Sequence, residues 1–376
     1  MVKFLHSADW HLGLKATGLG DKAKEARAKR FETADRVVDI AKNESVDFII
    51  LAGDTFDDHN VDDVVVKRAV DVLNRFSPAR VVVLPGTHDP LTAGGIWDRS
   101  QWRDRIGDHV HLLRDAREIS LDDEVAFYPC PLKQKMSPLD PTEWIPRRGQ
   151  EDGRIRIGVA HGALDILPQK PNFPIAPDRP ERAGLDYLAL GDWHSQLVKD
   201  RIAYPGTFEQ TSFDEKDSGN ILLVEIRETC AEPVIRPQKV GQLAWHTVSG
   251  DIHDISDIET MERTIKALAS LKDLALAVDL RIPGTNPEIS GRLSTLRKEL
   301  VEDAFYLDWP EETITGSDTG VSHIPEGILF RVDAALSGIL AAQIPDGPGR
   351  QFASRGKEEV EDARLLLHRM SREGFP

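Results

Sequence analysis

Over the first 115 residues, short runs dominated by apolar side chains alternate with stretches whose apolar positions recur every three or four residues. The runs at 4–8, 46–52 and 80–84 predict buried strands. The periodic stretches predict a helix over 24–42, on Phe31, Ala34, Val37, Val38 and Ala41, and another over 61–76, on Val61, Val65, Ala69 and Leu73. A β-α-β-α-β order predicts a parallel sheet. Further along the helical period thins. Residues 110–113, 124–128, 154–160, 185–190, 202–204 and 220–226 read as strands, which implies a second sheet packed on the first with helices outside. Residues 131–150, with four prolines, read as a loop.

The proline-bearing stretch 232–237 marks a boundary. Beyond it the pattern predicts an αβ unit: strand 244–248, helix 256–270, strand 274–282, helix 287–303, strand 304–309. Two amphipathic helices follow from 326, parted by Gly347-Pro348-Gly349. The domains expected are 1–235, 241–315 and a helical tail at 325–376.

Composition narrows the classes. Two cysteines in 376 residues give no disulfide framework. The best apolar runs fall far short of the roughly 18 residues a membrane helix needs, and no signal peptide fits the start of the chain. The expectation is a cytoplasmic protein with no membrane partner. A net charge of -16 argues against coating nucleic acid through a general positive field. It does not argue against a nuclease whose metal ions supply the positive charge. Charge is uneven: residues 251–312 hold 14 acidic and 7 basic residues. Residues 15–30 instead gather Lys15, Lys22, Lys24, Arg27, Lys29 and Arg30 against Asp21 and Glu25, a candidate contact for DNA phosphates or a solvated helix face.

Five clusters of metal-liking side chains each follow a predicted strand: Asp9-Trp10-His11, Gly53-Asp54-Thr55-Phe56-Asp57, Gly86-Thr87-His88-Asp89, His161-Gly162 and Gly191-Asp192-Trp193-His194. Carboxylates and imidazoles drawn from several segments suit a two-metal hydrolytic centre, and strand ends of an α/β sheet are where such sites form. Any one Asp alone would read as a turn or capping residue, and His161 alone as a core histidine. The ordered set points to a phosphoesterase.

These motifs resemble the calcineurin-like metallophosphoesterases, whose usual run is D-x-H, G-D-x-x-D, G-N-H-D/E, a lone His before Gly, and G-H-x-H. The SbcD branch, nuclease subunit of the SbcCD complex, is similar in Ser7-Ala8-Asp9-Trp10-His11-Leu12-Gly13, in Ala52-Gly53-Asp54-Thr55-Phe56-Asp57, and in Tyr204-Pro205-Gly206-Thr207 followed by Ser212-Phe213-Asp214-Glu215. The resemblance covers about residues 1–230. It implies a four-layer αββα sandwich with an αβ cap. It implies one metal on Asp9, His11 and His194 and a second on Thr87, His161 and Asp192, with Asp54 bridging. His88 would donate a proton to the leaving oxygen, with Asp89 orienting its ring. The activity implied is DNA exo- and endonuclease cleavage by a metal-activated water. The partners implied are DNA, an SMC-like coiled-coil ATPase of the SbcC type docked by the tail helices, and a second copy in a homodimer. A phosphodiesterase or phosphatase on small nucleotides, and a weakly active scaffold subunit of an SMC-like complex, are the other readings.

The chain departs from that pattern twice, with Thr87 where Asn is usual and Asp192 where the first His of G-H-x-H is usual. Both fall on the second metal. They make it harder and more anionic, which favours Mn2+ or Mg2+. If this is retuning, Thr87→Asn leaves hydrolytic activity within a few-fold; a dead wild type revived by that change would refute it.

Overall fold

The computed structural model describes residues 1–167, 172–281 and 287–310. The tail helices expected within 325–376 and the end of the 241–315 domain lie outside the described residues. Two compact units are present: Met1–His246 with Lys272–Ala275, and the remainder from Thr247 onward.

In the larger unit the alternating pattern becomes β1 (Val2–Ser7), α1 (Ala23–Asn43), β2 (Phe48–Ala52), α2 (Asp63–Asn74), β3 (Arg80–Leu84), a one-turn α3 (Ser100–Arg103) and β4 (Val110–Leu112). Strands β1 to β4 pair in parallel, as right-handed crossovers require. The second half supplies β5 (Ile119–Ser120), β6 (Val125–Cys130), β7 (Ile155–His161), α4 (Arg179–Ala183), β8 (Tyr187–Gly191), β9 (Leu197–Lys199) and β10 (Ile202–Tyr204). Their sheet runs β5-β6-β7-β8-β10-β9, parallel inside and antiparallel at both edges. Then β11 (Asn220–Ile226) returns beside β1, and β12 (Val234–Lys239) extends the first sheet to β12-β11-β1-β2-β3-β4.

The stretch read as a boundary is therefore the edge strand β12. Its Pro237 pairs opposite Leu222, a place where a missing N–H is tolerated because β12 has no strand on its other side among the described residues. Alternating half-buried and exposed residues plus a proline looked like a linker in composition alone.

Side-chain alternation builds the layers. Leu5, Ile49, Leu51, Val81 and Val83 face α1 and α2. Phe4, Phe48, Ile50 and Val82 face the other way, onto Phe127, Ile157, Val159, Tyr187 and Ala189 of the second sheet. Phe4 stacks on Phe48 at 4.9 Å and meets Tyr187 edge-on at 5.4 Å. The outer face of the second sheet is covered by the five-residue α4 and by irregular chain around Ile145 and Leu164 rather than by long helices. Four prolines between 131 and 150 keep that segment from coiling.

The expected αβ order of elements follows β12, with its first two strands each beginning in the larger unit. Strands β13 (Ala244–Asp251), β14 (Leu274–Arg281) and β15 (Tyr306–Asp308) lie in that order, with α5 (Ile255–Ala269) and α6 (Pro287–Asp303) between them in sequence. Asp254 starts α5 by accepting from the N–H of Ser256 and Asp257, and Arg292 on α6 pairs with Glu262 on α5 at 2.7 Å. No helix among the described residues is long and apolar enough to cross a membrane.

A histidine is buried between the two large sheets. His6 on β1 is fully buried, donates from Nε2 to the Leu190 carbonyl at 3.1 Å and accepts at Nδ1 from the Tyr187 hydroxyl at 2.9 Å. Burial pushes its pKa down to about 3. The unfolded chain therefore binds a proton that the folded chain refuses between pH 6.5 and about 3, and stability falls as pH drops through that window. In acid titrations followed by chemical unfolding, His6→Gln removes up to about 1.4 kcal/mol per pH unit of this slope. An unchanged slope would show that His6 does not titrate with unfolding.

Candidate metal centre

The parallel strands of both sheets bring their carboxyl ends to one edge. Asp9 and His11 follow β1, Asp54 follows β2, Thr87 to Asp89 follow β3, His161 ends β7, and Asp192 and His194 follow β8. Four of these residues have left-handed backbone: φ is 53° at Asp9, 38° at His11, 49° at Asp54 and 100° at Asp192. Such conformations cost on the order of 1–3 kcal/mol each and persist where surrounding structure imposes them.

Three groups of donors result. Asp9, His11 and His194 place ligand atoms within 4.8 Å of one another, so do Asp9, Asp54 and His161, and so do His11, Asp57 and His88. In the first, the Nε2 atoms of His11 and His194 stand 3.2 Å apart, with Nδ1 of His194 on Glu215 at 2.9 Å and Nδ1 of His11 3.5 Å from Asp57. In the second, His161 donates from Nδ1 to the Ala52 carbonyl at 2.9 Å, which turns Nε2 toward Asp54 at 3.2 Å and Asp192 at 3.8 Å. The Thr87 hydroxyl lies 3.1 Å from Asp54 and 3.4 Å from the same Nε2. All seven expected ligands are gathered. Asp9 is common to the first two groups, and Asp54, expected to bridge, accepts the His88 N–H on Oδ1 at 2.8 Å while its Oδ2 faces Thr87 and His161.

His88 and Asp89 part company. The carboxylate of Asp89 is buried and accepts the N–H of Gly86 at 2.8 Å and of Phe56 at 2.9 Å. It shapes the loop and does not orient His88. That task falls to the Asp57 carbonyl, which accepts from His88 Nδ1 at 2.7 Å. The His88 side chain is exposed and packs edge-on to His11, ring centroids 4.6 Å apart.

The basic stretch also divides. Lys15, Lys22, Lys24 and Arg27 are exposed. Lys22 pairs with Glu25 at 3.3 Å, and Arg27 donates to the Lys15 carbonyl at 2.7 Å. Lys29 and Arg30 are buried, Lys29 on Asp273 at 2.8 Å and Arg30 on the Trp10 carbonyl at 2.7 Å. Neither is a surface for DNA. The helical period of α1 put Phe31 and Ala34 inward, and their neighbours at 29 and 30 turn partly inward with them.

Sequence reasoning gave no role to Glu215 beyond a motif match. It holds His194 and accepts as well from the Thr207 hydroxyl at 2.9 Å and the Thr211 N–H at 2.9 Å. The only signal was its place in the Ser212 to Glu215 segment. Trp10, by contrast, is core as expected, stacked on Phe208 at 4.8 Å.

The electrostatics fit cations. Burial, next to Asp54 and Asp192, pushes the Asp9 carboxyl up to about 7, and burial raises Asp192. Against their burial, His161 rises well above the usual imidazole range on Asp54, while Asp54 is held well below the usual carboxylate range by His161. His194, despite burial, is raised to about 9 by Glu215 and Asp9. Crowded buried carboxylates with imidazoles turned Nε2-first are a donor set for divalent metal ions.

The family profile of the calcineurin-like phosphoesterases matches residues 2–196. The chain belongs to that family. Over 98% of its length this phosphoesterase is 26% identical to an uncharacterized metallophosphoesterase, YhaO of Bacillus subtilis, covering 97% of that protein. It is 34% identical to the DNA double-strand break repair protein Mre11 of Saccharolobus solfataricus, over 68% of this chain and 70% of that one. It is 35% identical to a subunit of the nuclease SbcCD of Bacillus subtilis over 95 residues, 23% of this chain and 22% of that one.

Glycine matters to the phosphoesterase centre chiefly through close approach. A Cβ on Gly53, whose φ is 97°, would stand 2.0 Å from Nδ1 of His161, and one on Gly86 would stand 2.2 Å from Oδ1 of Asp54. The Gly53→Ala protein should purify folded but with less than half the bound metal of wild type, measured by atomic emission beside circular dichroism. Full metal content would mean His161 is not held where the close contact puts it.

Proposed function

We propose that this phosphoesterase is a Mn2+-dependent, or Mg2+-dependent, DNA exo- and endonuclease subunit that works with an SMC-like coiled-coil ATPase. The observation that carries it is the pairing of a two-group donor cluster with an exposed imidazole, His88, held at its lip by a main-chain carbonyl. The DNA part is supported by relatives whose names are those of DNA repair and nuclease proteins. On this reading Asp9, His11 and His194 hold one ion and Thr87, His161 and Asp192 a second, with Asp54 shared between them. When bound, the ions neutralise charge on the scissile phosphate and lower the pKa of water. Mn2+ or Mg2+ suits the second set, whose carboxylates and hydroxyl outnumber its single imidazole.

His88 does its work from a fixed position. A carbonyl only accepts, so Nδ1 keeps its proton in both charge states and the ring stays oriented while Nε2 gives or takes the other proton. Delivered to the leaving oxygen, that proton offsets the developing negative charge. Lys15, Lys22, Lys24 and Arg27 would hold the backbone of the substrate. The larger unit is then the catalytic domain expected at 1–235, the unit expected at 241–315 an αβ cap domain, and the 325–376 tail the segment that docks on the ATPase. Two copies would act as a homodimer.

A second reading, hydrolysis of small nucleotides, is favoured by the burial of Lys29 and Arg30, which leaves fewer cations for a long polyanion.

End-labelled single- and double-stranded DNA incubated with Mn2+, with Mg2+ and with chelator separates these readings. The nuclease reading expects cleavage with Mn2+ that chelator abolishes and that His88→Ala lowers by about 100-fold or more. Hydrolysis of a short phosphodiester with no DNA cleavage, even with an ATPase partner present, would overturn it in favour of the second.

A further inference from the structure

The guanidinium of Arg30 is 5% exposed, and its Nη2 has no hydrogen-bond partner. Removing an arginine charge from water costs several kcal/mol unless other groups compensate. Here the compensation is two main-chain carbonyls, a ring and the charges of Glu209, Glu215, Asp57 and Asp9. Nε donates to Trp10 at 2.7 Å, Nη1 donates to Glu209 at 3.1 Å, and Cζ lies 5.3 Å from the centroid of Phe208. The ring of Phe208 in turn stacks on Trp10.

The two carbonyls belong to the two segments that build the first donor group. Trp10 sits between Asp9 and His11, both left-handed. The N–H groups of Asp9, His11 and Leu12 are bonded to the carbonyls of Gly53, Asp54 and Thr55, at 3.2, 2.9 and 2.9 Å. Arg30 takes the carbonyl at the centre of that turn. Glu209 lies in the segment from Thr207 to Glu215, whose last residue holds Nδ1 of His194. One planar fork therefore fixes the spacing between the Asp9–His11 turn and the support of His194. A lysine ammonium, a single point donor on a flexible stem, cannot hold two carbonyls at a set separation in the same way.

We propose that Arg30 is a positioning residue for the first cation group, clamping Asp9 and His11 against His194 through the Trp10 and Glu209 carbonyls. This rests on the reading that those three side chains hold a cation.

The test is calorimetric titration of the full chain with Mn2+, for wild type, Arg30→Met and Arg30→Lys, beside thermal unfolding. Wild type should bind two ions. Arg30→Met should weaken one step by about 10–100-fold and leave the other within a few-fold, as loss of a group supporting a ligand does. The weakened step should be the one that His194→Ala abolishes. Arg30→Lys should recover thermal stability more than it recovers that step. Two tight ions in Arg30→Met would overturn the proposal, as would equal weakening of both steps in parallel with melting temperature. If Arg30→Met does not fold, Arg30→Lys decides: a first step as tight as in wild type would show that charge suffices and that the fork does nothing. A wild type that binds no Mn2+ would instead overturn the metal-centre reading, and this proposal with it.

Discussion

Asp9, Asp54 and Asp192 crowd around one buried imidazole, His161, and that concentration of like charge is the constraint the rest of the site is built to satisfy. Burial first, and then the neighbouring carboxylates Asp54 and Asp192, push Asp9 up to about 7. The fold holds them with main-chain N–H groups that cannot move away: Asp192 N–H on both oxygens of Asp9 at 3.1 and 3.2 Å, and His88 N–H on Asp54. Backbone donors fix position without adding side-chain bulk. The space between the donors is thereby kept for cations.

Holding the donors also requires the two sheets to end at the same edge. His6 and His161 both cross from one sheet to a main-chain carbonyl of the other, Leu190 and Ala52 respectively. Each therefore fixes the sheet-to-sheet spacing at which the ligands meet. The close contacts at Gly53 and Gly86 are the other side of this arrangement, since a methyl group at either would push apart the chains that carry the ligands. The strained φ values at four of the candidate donors are tolerated for the same reason: the surrounding hydrogen bonds hold the backbone there.

The substitutions at Thr87 and Asp192 leave this logic intact. Thr87 keeps an oxygen beside Asp54 and His161, and Asp192 keeps its main-chain N–H on Asp9 while its side chain reaches toward His161. Both positions keep oxygen atoms among the candidate donors.

The strands and helices of the first sheet were legible because their side chains are buried on one stripe or on both faces, and periodicity reports burial. The five clusters were legible because metal chemistry restricts residue types, so Asp9, His11, Asp54, Thr87, His161, Asp192 and His194 announced themselves by kind and order. Edge strands such as β12 and β9 were not, since an edge is half solvated and its composition is that of a loop. Nor were the roles of Arg30, Lys29, Asp89 and Glu215. Whether an arginine in an amphipathic helix meets phosphate or a buried carbonyl depends on a segment nearly 180 residues away, at Glu209. Whether an imidazole is oriented by the carboxylate beside it or by a carbonyl 31 residues back depends on how two loops cross. Local chemistry determines which atoms can bind a metal; only the meeting of distant segments decides which of them face it and what holds them there.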